Sequence, residues 1–262
     1  MNELPIFLQQ KIHTLLQSKQ PAPLIIKLEN EGEYYWLKQR PASKKTFWHY
    51  LQKTAGFCIP FPMLKPTASK GGSESLLHEA ERLTKFKAHN IPVVPVVSVS
   101  ERYLLTKDSG IPLNTLLEQC LPDNRYPLLL QAMENLITLH QHGLCHGRPS
   151  PKDIVVENGT FYWLDLEENP LEVMSLAQAQ ARDLWLLLNG LAKYIPNDQW
   201  TQNLLLYYLN QASIEITVQL KHFVKILRPL RITLNPLPAR LIGKEAFRAV
   251  KINKIIEEYF RH

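Results

Sequence analysis

The chain has 262 residues, 45% of them apolar and 21% charged, with a formal charge of +6, proportions ordinary for a globular protein with ample core. No apolar run reaches the roughly 18 residues needed to cross a bilayer, and Met1-Asn2-Glu3-Leu4-Pro5 lacks a signal peptide's basic start, so the cytoplasm is the expected compartment. No internal repeat or low-complexity tract is present.

Residues 4–17 predict a short amphipathic helix. The β-branched and aromatic runs at 24–28 and 34–38, joined by Glu29-Asn30-Glu31-Gly32-Glu33, predict a hairpin. Residues 41–72 form a Pro- and Lys-bearing insertion, with a helix expected at 46–52. Gly71-Gly72-Ser73 then opens a helix over 74–89, with Ser73 as its cap. Leu76, Leu77, Ala80, Leu83 and Phe86 fall there at helical spacing. Strands are expected at 93–99 and 102–105.

Beyond Gly110 the composition turns Leu-rich. Residues 126–142 predict a long helix with Leu128, Leu129, Met133, Leu136, Ile137 and Leu139 toward the core. A second hairpin is expected from 154–156 and 161–164, turned at Asn158-Gly159. From about residue 175 the chain reads as helical. A strand-rich first part (1–107) and a helical second part (108–262) predict an α+β, two-lobed architecture. The three cysteines, Cys58, Cys120 and Cys145, are odd in number and share no metal-like spacing, which implies reduced thiols. Residues 221–262 hold ten Lys or Arg against three acidic residues, the whole of the net excess. Such a tail suits polyanions such as anionic lipid headgroups, lipopolysaccharide phosphates or nucleic acid, or else is a solvated helix face.

The most informative stretch is His146-Gly147-Arg148-Pro149-Ser150-Pro151-Lys152-Asp153, followed twelve residues after Asp153 by Asp165 in Trp163-Leu164-Asp165-Leu166-Glu167. Kinases carry His-x-Asp, an Asn five residues after that Asp, and an Asp-x-Gly turn beyond a hairpin. Here Arg148 holds the catalytic Asp position, Asp153 the Asn position and Glu167 the Gly position. The chain resembles the bacterial lipopolysaccharide-kinase-like branch of the protein-kinase-like fold, also labelled serine/threonine-kinase-like or toluene-tolerance-type, over roughly residues 24–190.

The resemblance implies a small β-rich N-lobe, a larger helical C-lobe, and ATP with Mg²⁺ as cofactors. It casts Lys38 as the lysine on the nucleotide phosphates and Glu79 as its helix partner, with Glu81 as rival. Asp153 and Asp165 become the metal ligands, and the hinge at Thr106 and Lys107 the adenine contact. His146 and Asp183 would brace the catalytic loop, Asp183 from below. Arg148 departs from the pattern, because a guanidinium accepts no proton near neutral pH. It is expected to pair with Asp153 or Asp165, to contact transferred phosphate, or to leave the base role to Glu167 or Glu168. The phosphate-covering glycine loop is reduced to Gly32.

The implied function is ATP-dependent phosphoryl transfer to a sugar, lipopolysaccharide-type or protein hydroxyl. The alternatives are a pseudokinase scaffold, or a polyanion-binding protein acting through its tail. Expected partners are a nucleotide and a hydroxyl acceptor, with peripheral contact to an anionic inner membrane or lipopolysaccharide through residues 221–262; nucleic acid is not expected. No nucleophile–base pair, CxxC or dinucleotide fingerprint supports a protease, nuclease or redox enzyme.

Overall fold

The computed structural model describes residues 4–17, 23–39, 62–65, 73–234 and 239–261. The helix expected at 46–52, the Gly71-Gly72 pair and Cys58 lie outside the described residues. What is described is a mixed α+β chain, with two small antiparallel sheets and a helical C-terminal part.

Helix α1 (Ile6–Gln17) turns Leu8 and Ile12, one helical turn apart, inward. Strands β1 (Ile25–Asn30) and β2 (Glu33–Gln39) are closed by Glu31-Gly32, both at positive φ (52° and 80°), as a two-residue type I′ turn requires. Helix α2 (Ser73–Ala88) follows, with Ser73 inside its first turn, and then β3 (Val96–Val99) and β4 (Tyr103–Lys107). The sheet order is β1-β2-β4-β3. Alternation along β2 decides what each face carries. Tyr35 and Leu37 join Leu28 and Leu105 against Leu8 and Ile12 of α1, so Trp36 and Lys38 face the other way.

The strand expected from residue 93 begins only at Val96. Pro92 and Pro95 withhold two ladder donors, and the residues between them dock on the second sheet instead. That sheet comprises β5 (Ile111–Pro112), β6 (Ile154–Glu157) and β7 (Thr160–Trp163), in that order. Trp163 N–H donates to Pro92 O (3.0 Å) and Val94 N–H to Trp163 O (3.2 Å). Asn158 and Gly159 turn the β6–β7 hairpin with φ of 49° and 78°.

Between β5 and β6 in the chain come α3 (Leu113–Gln119) and α4 (Tyr126–Gln141). Next come α5 (Leu176–Leu191), α6 (Asp198–Leu209) and α7 (Ile214–Leu234). The last two are α8 (Ala239–Ile242) and α9 (Lys244–Tyr259). Ser175 caps α5 in a capping box with Gln178, satisfying two otherwise orphaned backbone donors. The main core runs from Leu76 and Leu83 of α2 through Leu104, Leu113, Met133 and Trp163 to Ile256 of α9. Apolar residues on both sides of position 107 therefore share one cluster. No helix among the described residues is long and apolar enough to cross a membrane.

Candidate active site

Lys38, on the sheet face away from α1, gathers carboxylates from two other parts of the chain. Its Nζ lies 2.8 Å from Glu79 Oε2 on α2 and 2.8 Å from Asp165 Oδ1 just beyond β7. Glu167 Oε2 is 3.3 Å away. Glu79 is buried and Glu81 exposed, which settles the helix partner as Glu79. Asp165 sits at φ 61°, a left-handed conformation that costs a non-glycine residue on the order of 1 kcal/mol or more. The ion pair to Lys38 helps to hold it there.

Burial opposes the charge on Lys38, but the Glu79, Asp165 and Glu167 carboxylates outweigh it and keep the ammonium protonated well above its usual range. Burial pushes Glu79 up to about 7 against the pull of Lys38, and Asp165 and Glu167 add to the rise. Asp165 is also raised by burial, yet the charge and hydrogen bond of Lys38 bring it below the usual carboxylate range. Three carboxylates thus share one ammonium, leaving an excess of negative charge.

Asp153 follows Pro151 and Lys152 at the foot of β6. Ser150 Oγ donates to its Oδ2 (2.7 Å), and Leu164 N–H donates to its carbonyl (3.1 Å), tying the loop to β7. Burial pushes its carboxyl up to about 6, with the Asp165 charge contributing. Asp153 stands outside the group formed by Glu79, Asp165 and Glu167, whose carboxylate oxygens lie within 4.8 Å of one another.

The loop itself is held as a bracing role for His146 and Asp183 requires. The fully buried Asp183 accepts from His146 N–H (2.6 Å) and Gly147 N–H (2.9 Å). His146 Nε2, in the tautomer assigned from its neighbours, donates to Leu164 O (3.1 Å). Burial lowers this imidazole to about 4, so it is neutral and structural at physiological pH. Behind Asp183, His140 Nε2 is 3.5 Å from its Oδ2, and the other ring nitrogen meets the Tyr208 hydroxyl.

Two arginines that the sequence did not single out complete the frame. Arg82, one turn after Glu79 and buried, reaches four backbone carbonyls: Cys145 (2.6 Å), His146 (3.1 Å), Leu166 (3.1 Å) and Glu168. It staples the loop before Arg148 to the turn after Asp165. Arg182 donates to Gly147 O (2.7 Å) and lies 3.6 Å from Glu168 Oε2. Gly147 has φ 103°, and a Cβ there would come within 2.8 Å of Glu168 O, so only glycine fits. The signal available in sequence was a charged residue on an otherwise core-facing helix stripe, Arg82 between Leu83 and the inward Glu79.

Arg148 does not close on the metal-ligand candidates. Its side chain is 73% exposed, with Nη1 3.5 Å from Glu168 Oε1, while Lys38 holds Asp165 and Ser150 holds Asp153. Of the two substitute bases considered, Glu167 belongs to the Lys38 group, and Glu168 faces Arg148 and Arg182. Of the two hinge residues, Thr106 stands on the same sheet face as Lys38 and Trp36, and Lys107 on the other. Thr106 lies within β4 opposite Trp36 and Val96. Lys107 gives its N–H to Pro95 O (2.9 Å) and its ammonium to Glu33 Oε1 (2.5 Å). The Glu31-Gly32 turn is remote. Lys38 pairs with Ile25 at the opposite end of the hairpin, five residues from Glu33, or about 16 Å at ~3.3 Å per residue. Gly32 therefore cannot cover phosphates held at Lys38. The face beside Lys38 instead carries Trp36 and, opposite it on β1, Lys27, whose Nζ lies 5.4 Å from the Trp36 ring centroid and 4.5 Å from that of Tyr34.

No protein-family model matches the chain. Over 187 residues, 70% of this chain and 69% of the other, it is 27% identical to an uncharacterized protein of Haemophilus influenzae.

Proposed function

We propose that the chain is a kinase-like phosphotransferase of the cytoplasm that binds ATP with Mg²⁺ and passes the γ-phosphoryl group to a hydroxyl of a sugar, lipopolysaccharide-type or protein acceptor. The observation that carries this is the convergence of Lys38, Glu79 and Asp165, with 2.8 Å contacts between residues 41 and 127 positions apart. An ion pair joining a strand lysine to a helix glutamate, beside a turn aspartate that holds Mg²⁺, is the arrangement that positions nucleotide phosphates in kinases. The two-lobed reading draws support from the same elements: a small sheet carrying Lys38, and a helical part carrying the Asp153 loop.

The donor set fits Mg²⁺. Asp165 and Glu167 offer hard carboxylate oxygens in a region already rich in negative charge. When bound, the ion would neutralise charge on the phosphate oxygens. Lys38 would then shift from its carboxylates toward phosphate, with Glu79 orienting it. Trp36 offers an aromatic face to the base. In the transfer, the acceptor oxygen bonds to the γ-phosphorus as the bond to the bridging oxygen of ADP breaks, and the acceptor's proton passes to water. Arg148 cannot take that proton, so the rate forgoes the roughly 10²- to 10⁴-fold that a positioned base supplies. At the rim Arg148 can meet the transferred phosphoryl group, whose loose transition state needs little base help.

A second reading, a pseudokinase scaffold, is favoured by the same Arg148, exposed and turned to Glu168 where kinases place the base. ADP formation from ATP and Mg²⁺ separates the two, measured on wild type, Lys38→Met and Arg148→Asp. The phosphotransferase reading expects slow turnover in wild type, lost in both variants. Turnover absent from wild type and gained in Arg148→Asp would establish the pseudokinase instead.

A further inference from the structure

Helix α7 packs into the core through Ile216, Leu220, Phe223 and Val224 and then runs on past it. Its last two turns are exposed at Arg228, Pro229, Leu230, Ile232 and Thr233. Leu230 is 56% and Ile232 55% exposed, and after the link to α8 and α9 come Leu241 at 69% and Phe247 at 42%. Scattered apolar residues are normal on a protein surface. Four large ones within 18 consecutive positions of the sequence, on α7, α8 and α9, are a different matter.

The charge around them is one-sided. From Lys225 to Arg248 the chain holds six Lys or Arg and one acidic residue, Glu245. The tail's other cations are largely balanced: Lys251 meets Asp198 (2.5 Å), Lys254 meets Glu258 (3.8 Å) and Arg261 meets Glu257 (3.8 Å). Arg228 and Arg231 also approach Glu257, at 3.9 and 3.1 Å. Lys225, Arg240 and Lys244 are exposed on the same stretch of chain as these apolar positions. The excess positive charge of the tail thus falls on the stretch of chain that also carries the exposed apolar side chains.

From this we infer that the α7–α9 end is a docking surface for an anionic phospholipid bilayer, with Leu230, Ile232, Leu241 and Phe247 entering the headgroup boundary and the cations meeting lipid phosphates. Apolar side chains ringed by Lys and Arg are what an interfacial membrane contact needs. A nucleic acid would use the cations and leave the leucines idle; a second copy of the chain would repel at this face.

The test is co-sedimentation of the full chain with phosphatidylethanolamine–phosphatidylglycerol vesicles, against phosphatidylcholine vesicles, in low and high salt. Binding to the anionic vesicles alone is expected, with part of it surviving high salt. Arg240→Gln with Lys244→Gln lowers partitioning about 25-fold, at about fivefold per cation near the surface. Leu230→Ser with Leu241→Ser and Phe247→Ser leaves only weak binding that high salt abolishes. Unchanged thermal unfolding of both variants shows that they fold, as the exposure of these positions implies. Equal binding to phosphatidylcholine, binding unaffected by both variants, or no vesicle binding alongside capture of duplex DNA, lipopolysaccharide micelles or a second copy would overturn the inference. None of these outcomes depends on nucleotide, so the Lys38 site stands or falls separately.

Discussion

Replacing Arg82 by Met keeps most of the side-chain volume but removes the donors that hold four carbonyls, those of Cys145, His146, Leu166 and Glu168. Each carbonyl left buried without a partner costs about 1–3 kcal/mol. Against this, the variant no longer buries a guanidinium, whose ionised form burial already disfavours. Setting the two together gives a net loss of about 3–5 kcal/mol, comparable to breaking other buried charged networks. That is a large share of the ~5–15 kcal/mol typical of whole domains. Urea unfolding followed by tryptophan fluorescence measures it, with Lys87→Met, on the exposed side of the same helix, as a control expected to stay within about 0.5 kcal/mol. A loss below about 1 kcal/mol in Arg82→Met would show that the carbonyls find other donors and that Arg82 is not the staple between the loops.

Three further outcomes follow from the same geometry. Asp153 has a folded pKa raised from 3.8 to about 6 by burial, so its charged form destabilises the fold above pH 6, and the penalty fades as pH falls toward 4. Asp153→Asn should then gain about 1–3 kcal/mol at pH 8, at ~1.4 kcal/mol per unit, and nothing near pH 4; a gain independent of pH contradicts this. Gly147→Ala, which forces a side chain into a left-handed site and against Glu168 O, should lower stability by about 1–3 kcal/mol in thermal unfolding, and an unchanged midpoint would refute it. Burial pushes the Cys145 thiol up to about 12, so peptide mapping after alkylation at pH 8 should find Cys120 modified in the native protein and Cys145 only after unfolding.

Much of the site was legible because its residues sit on elements with strong local signals. The Asn158-Gly159 turn fixed the β6–β7 hairpin, and that in turn placed Asp165 at the hairpin's far end. Lys38 reads as the end of a β-branched and aromatic strand run, and Glu79 lies in the helix marked by the Leu76, Ala80 and Leu83 spacing. The order of these motifs, rather than any one of them, identified the cluster. Less visible were features set by tertiary contact. Glu167 reads in sequence as the missing glycine of a metal-binding turn, yet its side chain returns to Lys38. Arg82 reads as an ordinary helix arginine, because nothing local reveals which carbonyls surround it. Strand β5 and helix α3 are too short to show a period. Gly32 reads in sequence as a remnant of a phosphate loop, and only the register of Ile25 with Lys38 shows that it lies at the far end of the hairpin. Lys107 reads as part of an adenine hinge, and only the fold shows that its N–H and ammonium are engaged by Pro95 and Glu33.

The proposal that Lys38, Asp165 and Glu167 form a nucleotide–metal site is tested most directly by thermal unfolding with ATP, with and without Mg²⁺, on wild type and Asp165→Asn. A ligand confined to the folded state adds about 2.7 kcal/mol at a hundred times its dissociation constant. A rise in midpoint that requires Mg²⁺ and disappears in Asp165→Asn is the predicted result. No rise in wild type at saturating ATP and Mg²⁺, or a rise indifferent to both the ion and Asp165, would contradict it.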